Sequence, residues 1–139
     1  MSGEGSVKLK NDSPRLKTEL AELLKLNKSL YDILFDLADY VKDSFKKELV
    51  VTGIFRTDQE QDEIYKNDAK YKIKKFKSPH QNYTAFDLRD STFIPDEIKN
   101  IVKYLNDKYN KTNTYTWTAL DHSVGKGYHF HVQFVHKKV

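Results

Sequence analysis

The stretch Tyr128-His129-Phe130-His131-Val132-Gln133-Phe134-Val135 alternates with a period of two, which suits an extended strand with one face buried. Successive side chains of a strand point to opposite faces. Phe130 and Val132 therefore turn toward a core, while His129 and His131 share the other face. Val124-Gly125-Lys126-Gly127 reads as a turn, and Thr114 to Leu120, β-branched and aromatic, as the strand before it. The two strands make an antiparallel hairpin. His122 then falls across from His129, to within a register of about one residue.

The rest of the chain supplies helices and two further strands. Residues 1–12 are small and polar and are expected to form a flexible lead-in, followed by a single domain over 13–139. Ser13-Pro14 starts a helix with a capping hydroxyl and proline at the first helical position. Leu16, Leu20, Leu23 and Leu24 recur at helical spacing, and Leu30, Ile33, Leu34, Leu37, Val41 and Phe45 form a second stripe. Asn27 or Ser29 marks the break between the two helices. Leu49 to Phe55 is a strand, and Thr57-Asp58-Gln59-Glu60 has capping-box spacing for a helix running to about Asn67. Lys70 to Lys77 is basic, with Tyr71, Ile73 and Phe76 interspersed, and reads as a loop or irregular strand. Thr84 to Arg89 is a strand with Ala85 and Asp87 on one face and Phe86 and Leu88 on the other. Pro95-Asp96-Glu97 opens a helix whose buried stripe is Ile98, Ile101, Val102 and Leu105, and Asn110 to Asn113 breaks it. Helices first, then strands interleaved with single helices, predict an α+β domain: a small, mainly antiparallel sheet with N-terminal helices packed on it.

Bulk composition narrows the chemistry. A chain of 139 residues fits one domain. With no cysteine, disulfides, thiolate metal sites and cysteine nucleophiles are excluded, so any metal must be held by His, Asp or Glu. The excess of 24 basic over 20 acidic side chains, net +4, suits an anionic partner such as a cell-wall polymer. No apolar run approaches the ~20 residues needed to cross a bilayer. Met1 to Ser6 lacks the pattern of a signal peptide.

Neutral imidazole nitrogen and carboxylate oxygen are ligands that zinc accepts, and three protein ligands with an open fourth position mark catalytic rather than structural zinc. His80 and Asp87, set beside the strand pair, make His80, Asp87 and His131 the predicted ligands of a hydrolase. One carboxylate and two neutral imidazoles leave such a centre at net +1, which lowers the pKa of bound water toward ~7. A general base must still move a proton. His129 is suitable by type and position, with Asp121 and His122 as rivals across the hairpin. Arg56, at a strand end that opens a helix, is the candidate partner for a developing oxyanion. The plainer reading of Arg56 is a surface ion pair worth ~0–1 kcal/mol.

Ser78-x-His80-x-x-Tyr83-x-Ala85-x-Asp87 resembles the SxHxxGxAxD motif of the LAS-type zinc metallopeptidases, the D-Ala-D-Ala carboxypeptidase and L-alanyl-D-glutamate endopeptidase family. These share the Hedgehog/DD-peptidase fold and a later His-x-His. Gly53 to Gln61 is similar to the family's arginine-containing segment, and the resemblance spans about Val50 to Phe134. It implies zinc on His80, Asp87 and His131, a role beside the metal for His129, and substrate binding by Arg56, Ser78 and Gln61. Two departures stand out. The family glycine is Tyr83 here, so that turn either avoids a positive φ or holds the tyrosine under strain. The carboxypeptidase branch has an acid three residues before its last zinc histidine, where this chain has Tyr128, which moves the expected base to His129, the pattern of the murein-endopeptidase branch.

The leading expectation is a monomeric zinc peptidase cutting peptidoglycan stem peptides at the bacterial cell wall, with no specific nucleic acid and no membrane span. A non-catalytic zinc module of the same fold is the second reading. A nucleic-acid binder using Lys70 to Lys77 is the last, because it leaves the His/Asp set unexplained.

Overall fold

A computed structural model describes residues 6–74, 78–123 and 128–138. The class is α+β, as expected. Strands β1 (Val7–Leu9), β2 (Leu49–Gly53), β3 (Ala85–Arg89), β4 (Ala119–Ser123) and β5 (Tyr128–Gln133) form one sheet in the order β1-β2-β3-β5-β4. Only β1 on β2 is parallel; every other pairing is antiparallel. The helices are α1 (Pro14–Leu26), α2 (Lys28–Phe45), α3 (Asp58–Ile64), α4 (Ala69–Ile73) and α5 (Pro95–Tyr109).

Each helix starts where local chemistry dictates. Ser13 Oγ accepts from the Leu16 amide with Pro14 next to it, and Asn27 both ends α1 and caps α2, accepting from the Leu30 amide. Thr57 and Glu60 cap α3 reciprocally. The stripes of α1, α2 and α5 bury Leu16, Leu23, Leu30, Leu34, Leu37, Ile101 and Leu105 against Phe86, Leu88, Phe130 and Val132 of the sheet. The antiparallel register pairs Leu88 with Phe130 and Phe86 with Val132, so these four side chains form one apolar face. By the same alternation, Asp87, His129 and His131 lie on the opposite face. The helical layer thus leaves one side of the sheet available to chemistry.

Several boundaries differ from the sequence reading. Val7–Leu9 lies in the stretch expected to be a flexible lead-in, yet it pairs in parallel with Leu49–Val51 at the sheet edge. Three residues are too few to carry a readable alternation. The strand expected over Thr114 to Leu120 starts only at Ala119, because Asn106 Oδ1 accepts from the Thr118 and Ala119 amides and Asn113 Oδ1 from the Tyr115 amide. Side-chain oxygens take the bonds a ladder would have made. Lys70 to Ile73 is helical, capped by Asp68, and anchored by the Tyr71 hydroxyl donating to Asp62 at 2.6 Å. Residues 75–77 and the turn at 124–127 lie outside the described residues. No helix among the described residues is long and apolar enough to cross a membrane.

Tyr83 takes the strained alternative. It sits in the left-handed region at φ 56°, ψ 38°, closing the 3-10 turn Pro79–Asn82. Its ring stacks on Phe55 with centroids 5.0 Å apart, and its carbonyl accepts from Asn27 Nδ2 at 3.2 Å. These contacts hold a conformation that a side chain normally disfavours by ~1–2 kcal/mol.

Candidate metal centre

Two segments meet to form the cluster. In the first, Ser78 caps the 3-10 turn by accepting from the His80 amide at 3.2 Å, and Thr84 closes it by donating its amide to Pro79 O at 3.0 Å. The turn delivers His80, and β3 then places Asp87. The second segment is β5, where His131 is the direct cross-strand partner of Asp87 and His129 that of Arg89. His80, Asp87 and His131 offer one ligand atom each, all within 4.8 Å of one another. A metal ion needs that convergence.

The contacts within the cluster centre on one oxygen. Asp87 Oδ1 is 3.0 Å from His80 Nε2, 3.3 Å from His131 Nδ1 and 3.5 Å from His129 Nε2. His80 and His131 are almost fully buried. Burial alone would push the Asp87 carboxyl up, but hydrogen bonds from His131 and His80 and the charge of His80 and His129 outweigh it, holding the group well below the usual carboxylate range.

The far side of each ring shows how the near side is used. His80 Nδ1 lies 3.0 Å from Ile54 O, and His131 Nε2 lies 3.1 Å from Gln133 Oε1. Both oxygens only accept, so both distal ring nitrogens carry the proton. With the distal protons in place, a proximal nitrogen donates to Asp87 Oδ1 only when its ring is an imidazolium; in a neutral ring it presents a lone pair toward that oxygen. Three acceptors at this spacing repel one another unless a cation sits among them, either a metal ion or added protons. The donor set fits a borderline divalent ion such as zinc.

No protein-family model, no curated protein and no solved structure matches this chain.

A cleft of about 560 Å³ opens beside the cluster, lined among others by Lys10, Arg15, Phe55, Arg56, His80 and Asp87. Gly53 stands over the carboxylate: a Cβ at that position would lie 3.6 Å from Asp87 Oδ2. Gly53 and Asp87 both line the cleft. Arg56 reaches the cleft wall with its backbone amide on His80 O at 3.4 Å, and its guanidinium donates to Gln61 Oε1 at 2.8 Å. No salt bridge to Arg56 is found among the described residues; its guanidinium is held by Gln61.

The sequence-predicted residues divide accordingly. His80, Asp87, His131 and His129 come together, and Arg56 lines the cleft that also contains His80 and Asp87. Gln61 is fully buried behind Arg56 and braces it instead of facing the cleft. Ser78 is a buried cap whose hydroxyl holds the His80 amide. Asp121 pairs with Phe130 and so shares the apolar face, away from the histidines. This placement removes it as a rival base. His122 does pair with His129, as the hairpin register anticipates. Sequence reasoning missed Gln133, the place of Gly53 over the carboxylate and the contribution of residues 10–19, which it took as the end of a flexible lead-in and the start of a helix. The Gly53 signal was a glycine inside a β-rich run beside the register irregularity between Val51 and Gly53.

Proposed function

We propose that this chain is a zinc-dependent peptidase that hydrolyses stem peptides of bacterial peptidoglycan, a relative of the LAS-type metallopeptidases with their Hedgehog/DD-peptidase fold. The observation that carries this reading is the convergence of His80, Asp87 and His131, with both imidazoles already committed on their far sides, at the edge of a substrate-sized cleft.

His80 Nε2, Asp87 Oδ1 and His131 Nδ1 are the ligand atoms. Zinc held there supplies a Lewis acid and a bound water of lowered pKa. The other roles fall to the chain's own groups. Arg56, braced by Gln61 on the cleft wall, directs a fixed positive charge to the carbonyl oxygen of the scissile bond, where negative charge develops. His129, on the same strand face as His131, accepts the proton of the attacking water and returns it to the leaving amine. The net charge of +4 favours residence near anionic wall polymers.

A second reading has its own support. His129 Nε2 lies 3.5 Å from the same Asp87 oxygen that His80 and His131 approach, near enough for a small shift to make it a fourth ligand in a closed, non-catalytic site. Release of soluble peptides from purified peptidoglycan separates the two. The peptidase reading expects release by the zinc-loaded wild type, loss with chelator or Asp87→Ala, and His129→Ala that keeps zinc yet falls ~10²–10⁴-fold in turnover. No release by the zinc-loaded wild type, with zinc lost from His129→Ala, establishes the closed module instead.

A further inference from the structure

We infer that Gln133 is a positioning residue for the metal centre: its amide, held in one orientation by the Trp117 carbonyl, fixes the His131 tautomer that turns the Nδ1 lone pair toward Asp87 and His80. The inference rests on the reading of His131 as a ligand and adds the device that prepares it.

Donor and acceptor identity decides the orientation of the amide. A glutamine amide has an accepting end and a donating end, and His131 alone does not say which end faces it. Trp117 O decides. It lies 3.3 Å from Gln133 Nε2, and a backbone carbonyl cannot donate. The NH₂ end therefore faces Trp117 and the Oε1 end faces His131 Nε2 at 3.1 Å. An oxygen there requires Nε2–H, and a neutral ring with Nε2–H has its lone pair on Nδ1. That nitrogen is 3.3 Å from Asp87 Oδ1. The orientation of one amide is thus relayed through the imidazole to the ligand atom.

The surroundings leave the relay little freedom. Gln133 is buried, its backbone N–H donates to Thr118 O at 2.8 Å, and its backbone carbonyl accepts from Asn113 Nδ2 at 2.9 Å. The Trp117 ring meets the His131 ring edge-on, with centroids 5.6 Å apart. His80 reaches the same state by a different route, donating Nδ1–H to Ile54 O, a backbone oxygen no side-chain substitution removes. His131 is the ligand whose tautomer depends on a replaceable side chain. A neutral amide also differs from the carboxylate often found behind such rings: it orients the imidazole while raising its basicity less, and it leaves the residual positive charge of the centre unchanged.

Nitrogen-15 spectra of the histidine rings test the assignment. They are recorded on metal-free protein at about pH 9, above the ordinary imidazole range. Zinc affinity is read in parallel by competition with a chromophoric chelator. In the wild type, His131 is expected to carry its proton on Nε2, with His80 protonated on Nδ1 as the internal marker of an intact fold. Gln133→Leu is expected to lose the single His131 tautomer and to bind zinc ~10–100-fold more weakly. Gln133→Glu restores an accepting oxygen and is expected to keep Nε2–H. A wild-type His131 protonated on Nδ1 overturns the inference at once. So does Gln133→Leu with tautomer and affinity unchanged, and in that case the metal centre stands. A wild type with the expected tautomers that binds no zinc instead removes the metal reading and leaves the Gln133 assignment intact.

Discussion

Asp121 shows how far a single carboxyl can be moved by its surroundings. Burial, then a hydrogen bond and charge repulsion from Asp90, push it up to about 7. Its Oδ1 is buried with no hydrogen-bond partner among the described residues. The folded pKa stands above the unfolded carboxylate value of ~3.9, so the contribution of this group to stability is full below ~4. It is lost as pH rises through about 7. Glu60 runs the other way. The Arg15 guanidinium holds it at about 2, so its contribution is present above the unfolded value and disappears only as pH falls toward that figure. The two windows do not overlap. Denaturant unfolding from pH 4 to 8 is therefore expected to show a decline in the wild type that Asp121→Asn flattens; equal slopes would mean that Asp121 holds no proton across this range.

At the level of elements, the short stretch before β4 is organised by asparagines. Asn113 is buried, donates to Gln133 O at 2.9 Å and Thr118 Oγ1 at 3.0 Å, and accepts from the Tyr115 and Val135 amides. Asn113→Ala leaves these backbone groups without partners and is expected to cost ~2–4 kcal/mol in urea unfolding, a few times a typical hydrogen bond. A loss below ~0.5 kcal/mol, the range of an ordinary surface change, would contradict that role. This is also where sequence reading reached its limit. The strand period of Tyr128–Gln133 and the capping signals at Ser13 and Thr57 depend on near neighbours, so they were legible. Alternation told which faces Asp87 and His131 take on their own strands, whereas the pairing of those two strands came only with the structure. Gln133 was not legible, because its role is set by a carbonyl 16 residues away. The left-handed turn at Tyr83 was anticipated only as one of two outcomes, since the Phe55 stack and the Asn27 bond that hold it come from distant segments.

For the whole molecule, the decisive join is between the N-terminal helix and the site. Arg15 grips both Glu60 oxygens at 2.7 Å, donates to Glu19 at 2.6 Å, and reaches Phe55 O at 3.0 Å. It thereby fastens α1 to the segment that presents Arg56 and forms one wall of the cleft. Arg15→Met keeps the apolar stem but leaves the buried Glu19 short of its cation. The expected loss is ~1–3 kcal/mol by thermal unfolding, and an unchanged midpoint would reduce the contact to a surface ion pair. All of this structure is useful as a catalyst only if the His80, Asp87 and His131 atoms share an ion. The most direct measurement is metal content after dialysis against zinc, for the wild type, His80→Ala and Asp87→Ala. The account expects about one equivalent per wild-type chain and little in either variant, as for a site with three protein ligands. Equal zinc in all three proteins, or none in the wild type, would contradict it.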